Sequence, residues 1–165
     1  MGGMTAAVVA SRGRGLLGGL VLADPTFLEP ERQREVYATD VAEQHRRAVA
    51  GGKAGLVADL RARHPHRSGE MVELIAEARL ATRLETFEIL RPPNPDYREL
   101  VRAIEVPTLL VIGDKTVVTE AMARELEGLN ARLRTKKIEG AGHGVPFDQP
   151  ERVGELIASF LKDLE

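Results

Sequence analysis

The sequence predicts an α/β fold of about three parallel strands, with flanking helices and one long helical insertion. Three observations carry that expectation. Residues 16–23 and 107–113 are short, almost wholly apolar runs, the pattern of strands buried on both faces of a parallel sheet. Helix-period segments alternate with the strand-like ones, which places helices on the faces of such a sheet. Between the two apolar runs, from Phe27 to about Glu105, the chain turns Arg- and Glu-rich and its apolar residues recur at helical spacing.

The elements follow in order. Residues 1–10 are small and apolar and predict a tightly packed helix ending near Gly13. The first strand, 16–23, is closed by Asp24-Pro25, a turn-forming pair. Pro30 suits a first helical turn. Val36, Tyr37, Val41, His45 and Ala48 form one helical stripe, with Leu56, Val57 and Leu60 as a second. Met71, Leu74, Ile75, Ala78 and Ala81 form a third, and Pro65 and the run 92–95 punctuate. Sheet-type sequence returns at 107–113. Thr119 then opens a helix with Met122, Leu126 and Leu129 on its inner face. Residues 132–138 alternate weakly and carry Arg and Lys, as at a sheet edge, where charge discourages edge-to-edge pairing. Asp148 with Glu151 resembles a capping box. The last helix follows, with Val153, Leu156, Ile157, Phe160, Leu161 and Leu164 on one face. Residues 1–26 and 106–165 are thus expected to form the core, and 27–105 a helical cap.

Composition narrows the function classes. A formal charge of -2 gives no electrostatic reason to expect nucleic acid or an anionic membrane as a partner. Scarce aromatics and the absence of Trp argue against a base-stacking platform. With no cysteine there is no disulfide, thiolate nucleophile or Cys-ligated zinc, which is compatible with a cytoplasmic location. No apolar run approaches the roughly 20 residues that span a bilayer. Arg12 and Arg14 before the run 16–23 mimic a signal peptide only loosely, since the run contains Gly18 and Gly19 and ends in Asp24-Pro25. A dinucleotide- or phosphate-binding glycine motif is also missing.

The chemistry-bearing residues cluster near the C-terminus. Gly140-Ala141-Gly142-His143-Gly144-Val145-Pro146 follows a strand, precedes the final helix and continues as Phe147-Asp148-Gln149-Pro150-Glu151-Arg152. This phrase resembles the catalytic-histidine loop of the α/β-hydrolase family. Residues 106–114 resemble that family's strand leading to its catalytic acid. Residues 16–25 resemble the strand after its nucleophile helix, and the insertion resembles its helical cap. The similarity covers nearly the whole chain.

The resemblance implies serine-hydrolase chemistry. A serine hydroxyl is a poor nucleophile until a histidine takes its proton, and a carboxylate holds that imidazole in the right tautomer. The family order is Ser, then acid, then His. His143 is the expected base and Asp114 the expected acid. The family often places the acid three residues after the glycine, where this chain has Thr116, which cannot serve. Asp24, beyond the preceding strand, is the runner-up acid. Met1 and Gly2 are expected to be the remnant of a Gly-x-Ser-x-Gly elbow, with Met1 just after the missing serine. Ser11, Ser68 and Ser159 do not stand in such a motif.

A small-molecule substrate is therefore expected for the intact form: a small apolar ester, amide or lactone, with no cofactor and no metal. The isolated chain is expected to show little or no catalysis. The alternative is a non-catalytic fragment or partner-binding module that retains the cap. His64 and His66, flanked by arginines, are expected in a solvated cap loop, and His45 in packing or cap lining. A bare apolar edge on the first strand predicts self-association.

Overall fold

The computed structural model describes residues 2–13 and 15–164. The elements in chain order are α1 (Gly2–Arg12), β1 (Leu20–Ala23), α2 (Pro30–Ala38), α3 (Val41–Val49), α4 (Gly52–Arg63), α5 (Gly69–Ala81) and a 3-10 helix (Leu84–Leu90). They continue as α6 (Tyr97–Ala103), β2 (Thr108–Ile112), α7 (Glu120–Leu129), β3 (Leu133–Lys137), α8 (Val145–Asp148) and α9 (Pro150–Lys162). The chain divides into two compact units: Met1–Glu29 with Pro95–Glu165, and Pro30–Asn94.

The first unit is built on a parallel sheet in the order β1-β2-β3. The central strand is buried along its whole length, as its unbroken apolar run requires. Leu20 lies level with Thr108 and Ala23 with Val111 across one edge; Thr108 lies level with Leu133 across the other. One face carries α1, α6 and α7, whose Ala7, Ala10, Val101, Ala123 and Leu126 pack with Leu22, Leu110 and Ile112. On the other face, Val153, Leu156, Ile157 and Phe160 of α9 pack with Leu109, Val111 and Ile138.

Several boundaries differ from the sequence expectation, for physical reasons. The first strand starts at Leu20 rather than residue 16. A side chain at Gly19 would stand 2.6 Å from Leu164 Cδ1, so the chain passes there as bare backbone, and Leu16 is left exposed. Residues 27–29 and 95–105 belong with the sheet rather than with the insertion. Phe27 stacks on Tyr97 with ring centroids 5.2 Å apart, and α6 buries Tyr97, Leu100 and Val101 in the sheet's core. The buried Asn130 Nδ2 donates to the carbonyls of Val101 and Ile104, satisfying the C-terminal end of α6.

Thr119 accepts from Met122 N and opens α7 as expected. The expected capping box at Asp148 does not form: Gln149 stands at the start of α9 without a side-chain cap, and Pro150 fills the first turn. The Asp148 carboxylate instead accepts from Gly142 N. Leu161 turns outward and leaves the apolar face of α9. On the outer edge of β3, Thr135 N donates to Glu127 Oε1 at 2.7 Å.

The second unit is helical. The first expected stripe is two helices, because Asp40 adopts a left-handed φ of 49° and its side chain accepts from Glu43 N to open α3. Leu56 and Leu60 of α4 pack on Val72 and Ala76 of α5. The buried side of α5 is thus rotated by about one residue from the expected stripe, and Leu74 is exposed. His45 lies against the Phe87 ring at 5.0 Å, and the rings of His64 and His66 meet edge-on at 6.1 Å. Among the described residues, no helix is long and apolar enough to cross a membrane.

Candidate active site

The site forms where β1, β2 and β3 end. The ladder continues one step beyond β1, with Asp24 N donating to Val111 O at 2.8 Å. Asp24 then takes a left-handed φ of 39° and redirects the chain into Pro25. Aspartate is one of the few non-glycine residues that tolerates that region. Its carboxylate is buried yet well supplied with donors. Oδ1 accepts from Val118 N at 2.8 Å and Oδ2 from Val117 N at 3.0 Å. Both amides come from the loop after β2. A buried carboxylate is tolerable only with such partners.

The third partner is His143. Its Nδ1 lies 2.5 Å from Asp24 Oδ2, with the Asp24 side chain fully buried and that of His143 56% exposed. The imidazole therefore has one nitrogen tied to an inaccessible carboxylate and Nε2 left over on a ring that reaches solvent. A contact of this kind fixes the tautomer with the proton on Nδ1. The other nitrogen is then a proton acceptor.

Backbone contacts position the histidine loop. Gly113 lies so close that a Cβ there would fall 2.3 Å from Ala141 O. Asp114 N donates to that same carbonyl at 2.8 Å, and Lys115 pairs with Gly142 as a parallel bridge. Gly140 turns the chain with a φ of +78°. At the base of the first helix, Gly3 passes the turn after Asp24 so closely that a Cβ would fall 2.8 Å from Pro25 Cβ.

Asp114, the first-choice acid from the sequence, points elsewhere. Its Oδ2 accepts from Gly140 N at 2.6 Å and its Oδ1 faces Lys137 Nζ at 3.2 Å. The Gly140 N–H, with the Lys137 ammonium second, holds this half-exposed carboxyl below the usual carboxylate range. The structure thus pairs His143 with Asp24, the runner-up. Both oxygens of Asp114 have other partners, and the chain lifts Asp114 beyond the level of Asp24. Thr116, at the family's usual acid position, turns its hydroxyl to Val118 O and shapes the loop that feeds Asp24.

Gly2 is the first residue of α1; the expected role of Met1 lies outside the described residues. Ser11 donates to Val8 O, Ser68 opens α5 by accepting from Met71 N, and Ser159 lies on α9. Sequence reasoning missed three parts of the site. The Val117 and Val118 amides carry no residue-type signal. Asp148 matches a capping pattern with Glu151, and no residue-type signal points its carboxylate to Gly142 instead.

The first unit thus carries a buried aspartate against a loop histidine at the strand ends of a parallel α/β sheet. The α/β hydrolase family model matches residues 1–156, and the chain belongs to that family. Solved structures agree. E-2-(acetamidomethylene)succinate hydrolase is 21% identical with a TM-score of 0.76, over 98% of this chain and 63% of that one. An esterase from Mycobacterium tuberculosis is 25% identical with a TM-score of 0.68, over 97% and 59%. The enol-lactonase from Burkholderia xenovorans LB400 is 22% identical with a TM-score of 0.69, over 98% and 63%. The chain thus spans about three fifths of each of these structures. No curated protein matches it significantly. The fold is a partial α/β-hydrolase fold, with three parallel strands and flanking helices.

Proposed function

We propose that the chain carries the proton-transfer half of a serine-hydrolase site. His143 is the general base and then the general acid, and Asp24 orients it and stabilises its cation. The observation that carries this is the 2.5 Å contact between His143 Nδ1 and the buried Asp24 Oδ2. That arrangement leaves Nε2 to take a proton from an attacking hydroxyl and deliver it to a leaving group. The nucleophile, in this reading, is the serine of a Gly-x-Ser-x-Gly segment whose last two residues are Met1 and Gly2. The substrate, in this reading, is a small, largely apolar ester, amide or lactone. The esterase and lactonase among the structural neighbours support that substrate class by analogy of fold. A cytoplasmic location is part of this reading, and the cysteine-free sequence is compatible with it.

The test begins with the in-frame coding sequence upstream of Met1. It is expected to encode Gly-x-Ser directly before Met1. The extended chain is expected to hydrolyse p-nitrophenyl acetate or butyrate, and His143→Ala to abolish that activity. Absence of a serine elbow upstream, or full activity in His143→Ala, would overturn the proposal. With no elbow, the alternative of a non-catalytic, partner-binding fragment takes its place.

A further inference from the structure

We infer that Asp114 and Asp148 are positioning residues for His143, each gripping the backbone N–H of a glycine in its loop. The inference rests on His143 being the proton-transfer group proposed above.

The loop has a physical problem to solve. Three glycines surround the histidine: Gly140, Gly142 and Gly144. Glycine loses more conformational freedom on folding than any other residue and offers no side chain to lock it in place. A catalytic ring, by contrast, has to be held within about 0.5 Å of its working position. The Asp24 contact fixes only the ring's Nδ1 end.

Two carboxylates supply the missing restraint, from two different elements. Asp114, just beyond β2, takes Gly140 N at 2.6 Å with Oδ2. Asp148, at the end of α8, takes Gly142 N at 2.9 Å with Oδ2. Amide-to-carboxylate bonds of this kind are charge-assisted and stronger than neutral ones. Asp114 is itself braced: Lys137 Nζ lies 3.2 Å from its other oxygen and 2.7 Å from Glu120 Oε1. Its own N–H also holds Ala141 O. One residue thus engages both Gly140 and Ala141, and Asp148 engages the next residue before His143. These glycine N–H groups carry no side-chain signature, so a carboxylate near a catalytic histidine can be mistaken for its acid while its work is to seat the loop.

The test uses the whole 165-residue chain labelled with 15N and reads two quantities by NMR. The first is hydrogen exchange at the Gly140 and Gly142 amides. The second is the pair of His143 ring nitrogen shifts, which report the tautomer and the Nδ1–H bond to Asp24. Asp114→Ala and Asp148→Ala are each expected to raise exchange at their own glycine about tenfold, the loss of one charge-assisted bond. Both are also expected to move the ring shifts toward those of Asp24→Asn. Asp114→Asn, whose Oδ still accepts from Gly140 N, is expected to restore most of the wild-type ring signal. Faster exchange with unchanged ring shifts in both alanine variants would overturn the inference, leaving a purely structural role. If Asp114→Ala fails to fold, Asp148→Ala carries the same comparison at Gly142. Asp24→Asn separates the two proposals: if it leaves the ring shifts unmoved, the His143–Asp24 reading itself fails.

Discussion

Asp24 and Asp114 follow neighbouring parallel strands, and each is a carboxylate just past an apolar run, yet they end in opposite environments. Ala23 is level with Val111, so Asp24 falls beside Ile112 while Asp114 stands two residues higher. At the lower level the loop after β2 passes over the carboxylate and presents two N–H groups. At the higher level β2 has ended, and Asp114 meets Gly140 and the lysine of β3. The difference teaches that a strand-end carboxylate is defined by the height at which it leaves the sheet and by the donors above it. Neighbouring residues in the sequence carry neither quantity.

The largest expected effect lies at the buried member of the pair. In the extended, serine-containing chain, Asp24→Asn is expected to lower kcat by about four orders of magnitude, since an asparagine favours the wrong imidazole tautomer. Asp114→Asn, by the same assay, is expected to keep most of the activity. Near-equal losses would break the comparison. In the 165-residue chain, Asp24→Ala is expected to cost about 3 kcal/mol in urea unfolding, because the Val117 and Val118 amides lose their acceptor in a buried site.

Next comes Gly113→Ala, which drives a methyl group to 2.3 Å from Ala141 O. A loss of about 2 kcal/mol is expected, because backbone must move to relieve the clash. Thr119→Ala should cost about 1 kcal/mol by removing the cap on Met122 N. Since Thr119 directly follows the amides that hold Asp24, faster hydrogen exchange at Val117 and Val118 should accompany it.

The smallest effect is the pH dependence contributed by Asp114. Its folded pKa lies below the unfolded value, so the unfolded chain binds its proton first. Its contribution is therefore present above about pH 4, the unfolded carboxyl range, and fades as pH falls through the folded pKa. Urea midpoints of wild type and Asp114→Asn should converge on acidification from pH 5 to pH 2. A gap that widened on acidification would contradict the Gly140 and Lys137 contacts.

Much of this architecture was legible in the sequence. The runs around Leu22 and Leu110 gave buried parallel strands, the Arg and Lys of β3 gave an edge, and Thr119 gave a cap. By resemblance Gly140-Ala141-Gly142-His143 reads as a histidine loop, and the structure sets His143 against Asp24 rather than Asp114. What stayed hidden was set by backbone geometry. The register that lowers Asp24 beneath Val117 and Val118 is a relation between strands, with no counterpart in either segment alone. Asp40 broke a helical stripe through a left-handed φ that its neighbours do not announce. Asp148 matched a capping pattern in spacing, yet its oxygen found the Gly142 amide instead.

The contact between Glu127 and Thr135 bears on how far such a sheet can extend. A parallel ladder uses every second residue of an edge strand to face its neighbour, and the intervening N–H groups face outward. On β3, Glu127 occupies the outward N–H at Thr135, in the middle of the strand. On β1, the pairings of Leu20 and Asp24 with β2 turn Val21 and Ala23 outward, and no strand partner meets them among the described residues. The two edges of the described sheet therefore differ chemically, like the two ends of a polymer of which one has been capped: the β3 edge has its central N–H already held by a carboxylate, and the β1 edge presents those of Val21 and Ala23.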